Sequence, residues 1–378
     1  MKKFFIYALT LFIMNCAQSP VQKSATTATS QNKVQPNTVS SQAKEYQLNI
    51  AYRSLNTSKT LNTIGFGSCN DQTRPQPLWN PILKKNPDLF IMMGDNVYAS
   101  TPETQPIIDQ YIKQNQIPEY RQVREAIPFL ATWDDHDSGQ NDSGADNPLK
   151  EEARKIFVNY WGYLKQSLPK NQKALYHSRM IGDKKNKVHI IVLDTRYDRT
   201  ALIKNPEYNY EDKTYPPKIY LPNEDKNARM LSDEQWNWLA DELKKPADLK
   251  ILVSSIQVIA NDHYFEKWGN FPLERKKLLD LIEKNKLHNL VILSGDRHLS
   301  AISKLDLNKK LTVYEITSSG LNRPSRNTEP EKDSTYIAPA FLKINYGLAQ
   351  IDWTQKSVLF EIRDEQDQVQ LSQKVSFK

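Results

Sequence analysis

The chain has 378 residues, a quarter of them charged, with a formal net charge of +7 and an ordinary globular composition that is not rich in glycine. That length can bury a large core, as one big domain or two smaller ones. The lysines are scattered rather than clustered, which excludes a nucleic-acid-binding module and leaves affinity for anionic substrates or a phosphate-rich envelope. The 18 Tyr and 7 Trp suit either an aromatic-lined pocket or the core of a large α/β domain.

Two lysines lead an apolar stretch over 4–14, too short to span a bilayer and shaped like a signal peptide. Cys16 follows Ile13-Met14-Asn15 and resembles a bacterial lipobox, although Asn before the Cys is unusual. Residues 17–45 contain Ser, Thr, Gln, Asn and Pro with few bulky apolar groups, the composition of a disordered tether. The expectation is an exported lipoprotein of the bacterial cell envelope, periplasmic or surface, held to a membrane through a lipid on Cys16. Plain secretion with cleavage nearby is the alternative. Residues 46–378 then form the functional domain.

Beyond the tether, strands and helices alternate. Strands are expected over 61–69, 89–95 and 128–133, with a short helix over 78–85 and a helical region over 107–125 between them. Phe157, Tyr160, Trp161 and Leu164 give helical spacing over 151–164. A strand follows over 188–194. Ser232 with Gln235 three residues on signals a helix start, and the helix runs to 245. Strands over 249–258 and 290–294 flank a helix over 274–285. From 311 onward the pattern shifts to strands alone, over 311–317, 347–353, 357–363 and 369–377, with a hairpin loop at 364–368. The long Pro-bearing loops 198–229 and 322–339 are candidates for the rim of a site.

Four short segments carry the chemistry: GSCNDQ (67–72), GDNVY (94–98), WDDHD (133–137) with Asn141 after it, and SGDRH (294–298). Three of them follow apolar runs, and side chains at strand carboxyl ends are where open α/β sheets build sites. Asp95 and Tyr98 pair a carboxylate with a phenol, suited to a hard trivalent cation; the alternative is a Gly-Asp turn with a packed Tyr. Asp134, Asp135, His136 and Asp137 would repel one another unless a cation neutralises them, and Asn141 can add a neutral oxygen. His136 could be a ligand or could stand beside a bound phosphate. Asp296 and His298, two residues apart, can clamp a metal, while Arg297 would point away or reach round to an anionic substrate. With Cys16 acylated, Cys69 is an unpaired cysteine in an exported protein: an inert buried thiol or a metal thiolate. Arg196 could bind a phosphoryl oxygen or pair with Asp194. The stretch 263–275 could form a pocket wall or a loop packed on the core, and His177, His189 and His288 read as structural or surface residues.

The ordered segments GSCNDQ, PDLFIMMGDNVYAS, ATWDDHDSGQND, VLDTRYDR, LSDEQWNWL, LVSSIQVI, FEKWGNFPLERKKLL, LSGDRH and YEITSSGL resemble the alkaline phosphatase D family, the PhoD-like metallophosphoesterases. The resemblance implies an α/β fold, a four-layer αββα sandwich of the calcineurin-like metallophosphoesterase kind. It implies Fe³⁺ with Ca²⁺, or another divalent metal such as Mn²⁺, Mg²⁺ or Zn²⁺, and hydrolysis of phosphomonoesters and phosphodiesters by metal-bound hydroxide attacking phosphorus in line. Cys69, Asp95 and Tyr98 match the iron side; Asp134 or Asp135 with Asn141 match the divalent side; Asp296 and His298 match the late ligand pair; His136 matches the position near the scissile phosphate. The combined ligand set, rather than the resemblance, puts Arg196 on the phosphoryl oxygens in the expected mechanism. The stretch between the tether and the first motif is short, so the β-sandwich domain that larger members carry there is expected to be absent, and Arg297 stands where many members have an aliphatic residue. Other readings are a phospholipase of C or D type on the same scaffold and a non-catalytic surface-binding lipoprotein.

Overall fold

The computed structural model describes residues 48, 50–208, 218–326 and 329–377, so the signal segment, Cys16 and the tether lie outside the described residues. In chain order the elements are β1 (Thr63–Gly67), α1 (Trp79–Lys85), β2 (Leu89–Met93), α2 (Thr104–Asn115), α3 (Pro118–Ala126), β3 (Phe129–Thr132), α4 (Lys150–Tyr160), α5 (Leu164–Ser167), β4 (His177–Ile181), β5 (Val188–Val192), β6 (Ile203–Lys204), β7 (Tyr220–Leu221), α6 (Asp233–Lys244), β8 (Leu249–Ser254), α7 (Pro272–Lys284), β9 (Leu290–Ser294), β10 (Ser300–Asn308), β11 (Leu311–Ser318), β12 (Tyr346–Asp352), β13 (Ser357–Arg363) and β14 (Val369–Ser376). No helix among the described residues is long and apolar enough to cross a membrane.

Two six-stranded sheets form, in the orders β14-β13-β12-β1-β2-β3 and β10-β11-β9-β8-β5-β4. Within them β1, β2 and β3 run parallel, as do β5, β8, β9 and β11; the late strands pair antiparallel. The central strands are buried on both faces, which is why they read as unbroken apolar runs rather than alternating ones. In β2, Leu89, Ile91 and Met93 enter the core between the sheets, while Phe90 and Met92 pack among residues of α1 to α4. In the second sheet Val188, Ile190 and Val192 face the inter-sheet core, and Ile191, Leu252 and Ile292 pack with Leu239 and Leu243 of α6 and Leu278 and Ile282 of α7. The layers are helix, sheet, sheet, helix, as the family resemblance implies.

The helical region expected over 107–125 is two helices, because Pro118 cannot continue α2 and instead opens α3. The helix expected over 151–164 stops at Tyr160, and a short second helix carries Leu164. The Ser232 cap is formed, its hydroxyl accepting the Gln235 backbone N–H at 3.3 Å. Two strands outside the small β6–β7 pair were not legible: β4, with three half-buried residues of five, and β10, whose second half alternates exposed polar residues with half-buried leucines. The loop after residue 198 carries the small β6–β7 pair.

Candidate metal centre

The chemistry-bearing segments meet where β1, β2, β3 and β9 end. Their backbones turn sharply there: Cys69, Asp95, Asp296 and His298 all have positive φ, at 59°, 49°, 68° and 56°. Non-glycine residues adopt that region at a cost and cluster where surroundings enforce it. Two glycines permit the convergence. A Cβ on Gly94, whose φ is +104°, would stand 2.6 Å from Asp134 Cβ, and one on Gly295 would stand 2.5 Å from Ser68 Oγ. Asp137 locks two of the turns together. Its buried carboxylate accepts the backbone N–H of Asn96 at 3.0 Å, that of Asp134 at 2.9 Å and the Tyr111 hydroxyl at 2.8 Å.

On one side of the centre, Tyr98 donates its hydroxyl to Asp95 Oδ2 at 2.8 Å and stands 2.9 Å from His298 Nε2. Cys69 Sγ lies 3.5 Å from the same Asp95 oxygen. Ser319 Oγ sits 3.0 Å from that sulfur and accepts the His298 backbone N–H at 2.7 Å. The His136 ring packs on Tyr98 with centroids 4.3 Å apart. Burial pushes the Cys69 thiol up to about 11 and His298 down to about 3 when no cation is present.

On the other side, the carboxylates of Asp95, Asp134, Asp135 and Asp296 bring one oxygen each within 4.8 Å of one another. Asp134 Oδ1 accepts from Arg196 Nε, and from Ser255 Oγ at 2.6 Å. Asp135 Oδ2 accepts the Asp142 backbone N–H at 2.7 Å. Burial, then repulsion among these anions, holds Asp95 and Asp296 well above the usual carboxylate range. Asp134 is pushed up to about 7 by burial, against the pull of Arg196.

Arg196 does not do what its position in sequence suggests. It is buried, its Nη1 donates to Glu266 at 2.8 Å and to the Ser143 carbonyl at 3.2 Å, and its Nε is spent on Asp134. Its Nη2 stands 2.7 Å from Glu266 Oε2, off the hydrogen-bonding angle. It is therefore a brace behind the carboxylates, absent from the cleft lining. The Asp194 alternative fails too: that carboxylate accepts the backbone N–H of Arg196 and Tyr197, both at 2.9 Å, and the Trp133 indole at 2.7 Å. Asn141 is exposed and lines the cleft beside Asp135 and His136. His177 and His189 are buried structural residues and His288 is exposed.

Sequence reasoning missed Glu266, Arg199, Asp142 and Ser319. Glu266 receives both Arg196 and Arg199, the latter at 2.9 Å. The only signal for it was an acidic residue set between Phe265 and Trp268 in the aromatic stretch read as a wall, and Phe265 and Glu266 do line the cleft. Asp142 links the cleft wall to Asp135, since its carboxylate accepts the Tyr220 hydroxyl.

A cleft of about 530 Å³ opens from Asp135, His136, Asp296 and His298 toward Tyr208 and Tyr220. The residues fit two cations. Asp95 Oδ1, Asp134 Oδ2, Asp135 Oδ1 and His136 Nδ1 are buried with no hydrogen-bond partner, which a folded protein tolerates where something else meets them. Among the described residues, Asp95 belongs to all three candidate ligand groups: with Cys69 and His298, with Asp135 and His136, and with Asp134, Asp135 and Asp296.

Comparison with known proteins gives a family and a fold. A family model described as PhoD-like phosphatase matches residues 108–370, a span that begins after Cys69, Asp95 and Tyr98. Alkaline phosphatase D of Bacillus subtilis (strain 168) is 26% identical over 295 residues, covering 67% of this chain and 48% of the relative. The chain thus spans about half the length of that curated relative. A solved structure of PhoD shares the fold, with a TM-score of 0.68 at 17% identity over 86% of this chain and 74% of that one.

Proposed function

This chain belongs to the PhoD-like phosphatase family, and on that premise we propose that it hydrolyses phosphate esters, diesters and monoesters, at a centre of two metal ions. The observation that carries the reading is the Asp95 carboxylate, common to every ligand group, with its second oxygen buried and unpartnered. Cys69, Asp95, Tyr98 and His298 would hold one cation; a thiolate and a phenolate favour Fe³⁺ there. Asp95, Asp135 and Asp296 would hold the other, Ca²⁺ or another divalent ion, with Asn141 at the rim. Asp135 suits that role better than Asp134, because it belongs to two of the candidate ligand groups and Asp134 to one.

When bound, the two cations supply Lewis acidity and a water acidic enough to act as nucleophile near neutral pH. The chain's own residues do the rest. Asp95 fixes the spacing of the two sites. Arg196, itself held by Glu266, holds Asp134 and Asp135 in place from behind. His136, which lines the cleft, would protonate the leaving oxygen. The cleft's volume of about 530 Å³, lined beyond the centre by Tyr208 and Tyr220, leaves room for the alcohol arm of an ester. The export signal and Cys16 support a lipid-anchored envelope enzyme.

Elemental analysis of the purified protein, a visible absorption scan and turnover of a chromogenic bis-phosphodiester test the proposal together. The expected result is bound iron with a charge-transfer band and measurable turnover, all lost in Asp95→Asn and reduced in His298→Ala. Full metal content and turnover in both variants would overturn it. Cys16→Ser should move the protein from the membrane fraction to the soluble one; unchanged fractionation removes the anchor.

A further inference from the structure

Arg297 lies between two candidate ligands, Asp296 and His298, yet its side chain turns to the cleft wall. Its guanidinium packs over Phe265, 4.2 Å from the ring centroid, and is ion-paired with Glu331. The other Glu331 oxygen accepts the Tyr336 hydroxyl at 3.0 Å. The side chains of Arg297 and Glu331 are 6% and 10% exposed, and both line the cleft that ends at the metal centre. Arg297 Nε is buried without a hydrogen-bond partner, an unused donor in that wall. Arg196 and Arg199 are spent on Glu266 behind the carboxylates. Among the described residues, Arg297 is therefore the one buried guanidinium in the cleft lining.

We propose that Arg297 binds an anionic oxygen of the phosphate ester, and that Glu331 is its resident counter-ion, which competes with that oxygen for the guanidinium. The proposal rests on the phosphate-ester reading above and deepens it to a choice of substrate. A planar guanidinium presents a fork of donors that matches a phosphate edge as well as a carboxylate. Glu331 holds that fork in place while the cleft is empty of substrate. Its negative charge then opposes incoming anions in proportion to their charge. A diester carries one negative charge and a monoester at neutral pH up to two, so Glu331 penalises monoesters more. The pair acts as a specificity element that favours diesters, by repelling the competitor as much as by attracting the substrate.

The two partners make opposite predictions, which separates this role from a structural one. Glu331→Gln keeps the shape and the acceptor for Tyr336 but removes the charge. It should tighten inhibition by inorganic phosphate roughly 3- to 30-fold and raise kcat/KM for a chromogenic monoester more than for the bis-diester. Arg297→Gln should weaken phosphate binding roughly 10- to 100-fold, and Arg297→Lys, which keeps the charge but not the fork, should fall between it and the unmodified protein. Metal content by elemental analysis should be the same in all. Breaking a buried pair also lowers melting temperature in every variant, so the sign of the phosphate effect is the readout. Weaker or unchanged phosphate binding in Glu331→Gln overturns the proposal, as does unchanged binding in Arg297→Gln. Phosphate binding by titration calorimetry on the metal-loaded protein is read independently of turnover. Lack of turnover in the unmodified protein would count against the phosphatase reading, and the calorimetry would still decide on Arg297.

Discussion

The two sides of the candidate centre are built from different material. Around Cys69, Tyr98 and His298 the potential ligands touch one another directly, and a single hydroxyl, Ser319 Oγ, meets both the Cys69 sulfur and the His298 backbone. Around Asp134, Asp135 and Asp296 the carboxylates are braced from behind by Arg196, which shares Glu266 with Arg199. The first side relies on short turns with strained backbone, the second on a buried network of ions contributed by distant loops. The second side, where burial and mutual repulsion raise the carboxyls, should therefore depend on its cation for local charge balance, and the first, whose thiol and imidazole stay neutral without one, should not.

Asp95 is where the two sides join, so Asp95→Asn should have the largest effect. Turnover should fall by roughly 10³-fold or more and both metals should be lost, measured by kinetics and elemental analysis. Retention of either metal at full occupancy would show that the sides are independent. Next comes Glu266→Gln, which takes from Arg199 its buried counter-ion and from Arg196 one of its buried carboxylate partners. A loss of about 3–5 kcal/mol is expected in urea unfolding of the metal-free protein. A near-neutral result would mean that the carboxylates of the second side, rather than Glu266, neutralise both arginines.

Acid sensitivity tests the framework apart from the centre. His177 is buried, 2.9 Å from the Leu175 carbonyl and 3.2 Å from the Tyr163 hydroxyl, and burial depresses it to about 4. The unfolded chain protonates this group near its ordinary value of about 6.5, before the folded protein does. Stability is therefore full above that pH and falls as the pH drops from about 6.5 to about 4, by about 3 kcal/mol. His177→Gln should be less stable at neutral pH and lose less on acidification. The raised carboxyls of the metal-free centre act in the opposite sense, so the difference between the two proteins at each pH is the quantity to measure. The smallest effect is expected from Cys69→Ser, which removes one soft ligand from the first side. Iron affinity should drop at least about tenfold and the visible band should weaken, with the second metal retained.

The fold was largely legible because the central strands are apolar on both faces, and several of them (β2, β3, β5 and β8) follow glycine- or proline-marked turns, a pattern no helix at the surface would show. What escaped has a physical reason. β4 and β10 lie at sheet edges, where exposure permits charged and polar residues and erases the apolar signature. Pro118 was visible, yet the helical spacing on either side of it masked the break. Cys69, Asp95, Tyr98, Asp134, Asp135, Asp296 and His298 were legible because carboxylates, a thiol, a phenol and an imidazole right after apolar strands have few uses other than a site. Glu266 and Glu331 were not, since a single acidic residue in a loop is indistinguishable in sequence from a solvated one.

The sequence by itself determined which groups could coordinate metal and that they stand at strand ends, because residue chemistry and hydrophobic pattern are local properties. It also placed Arg196 and Arg297 near those groups. Only the tertiary structure decided what the two arginines do. Arg196 is claimed by Asp134 and Glu266 behind the centre, and Arg297 is turned onto Phe265 and Glu331 in the cleft. The direction of a long charged side chain is set by which counter-charges the fold brings within reach, and those come from residues far away in the chain.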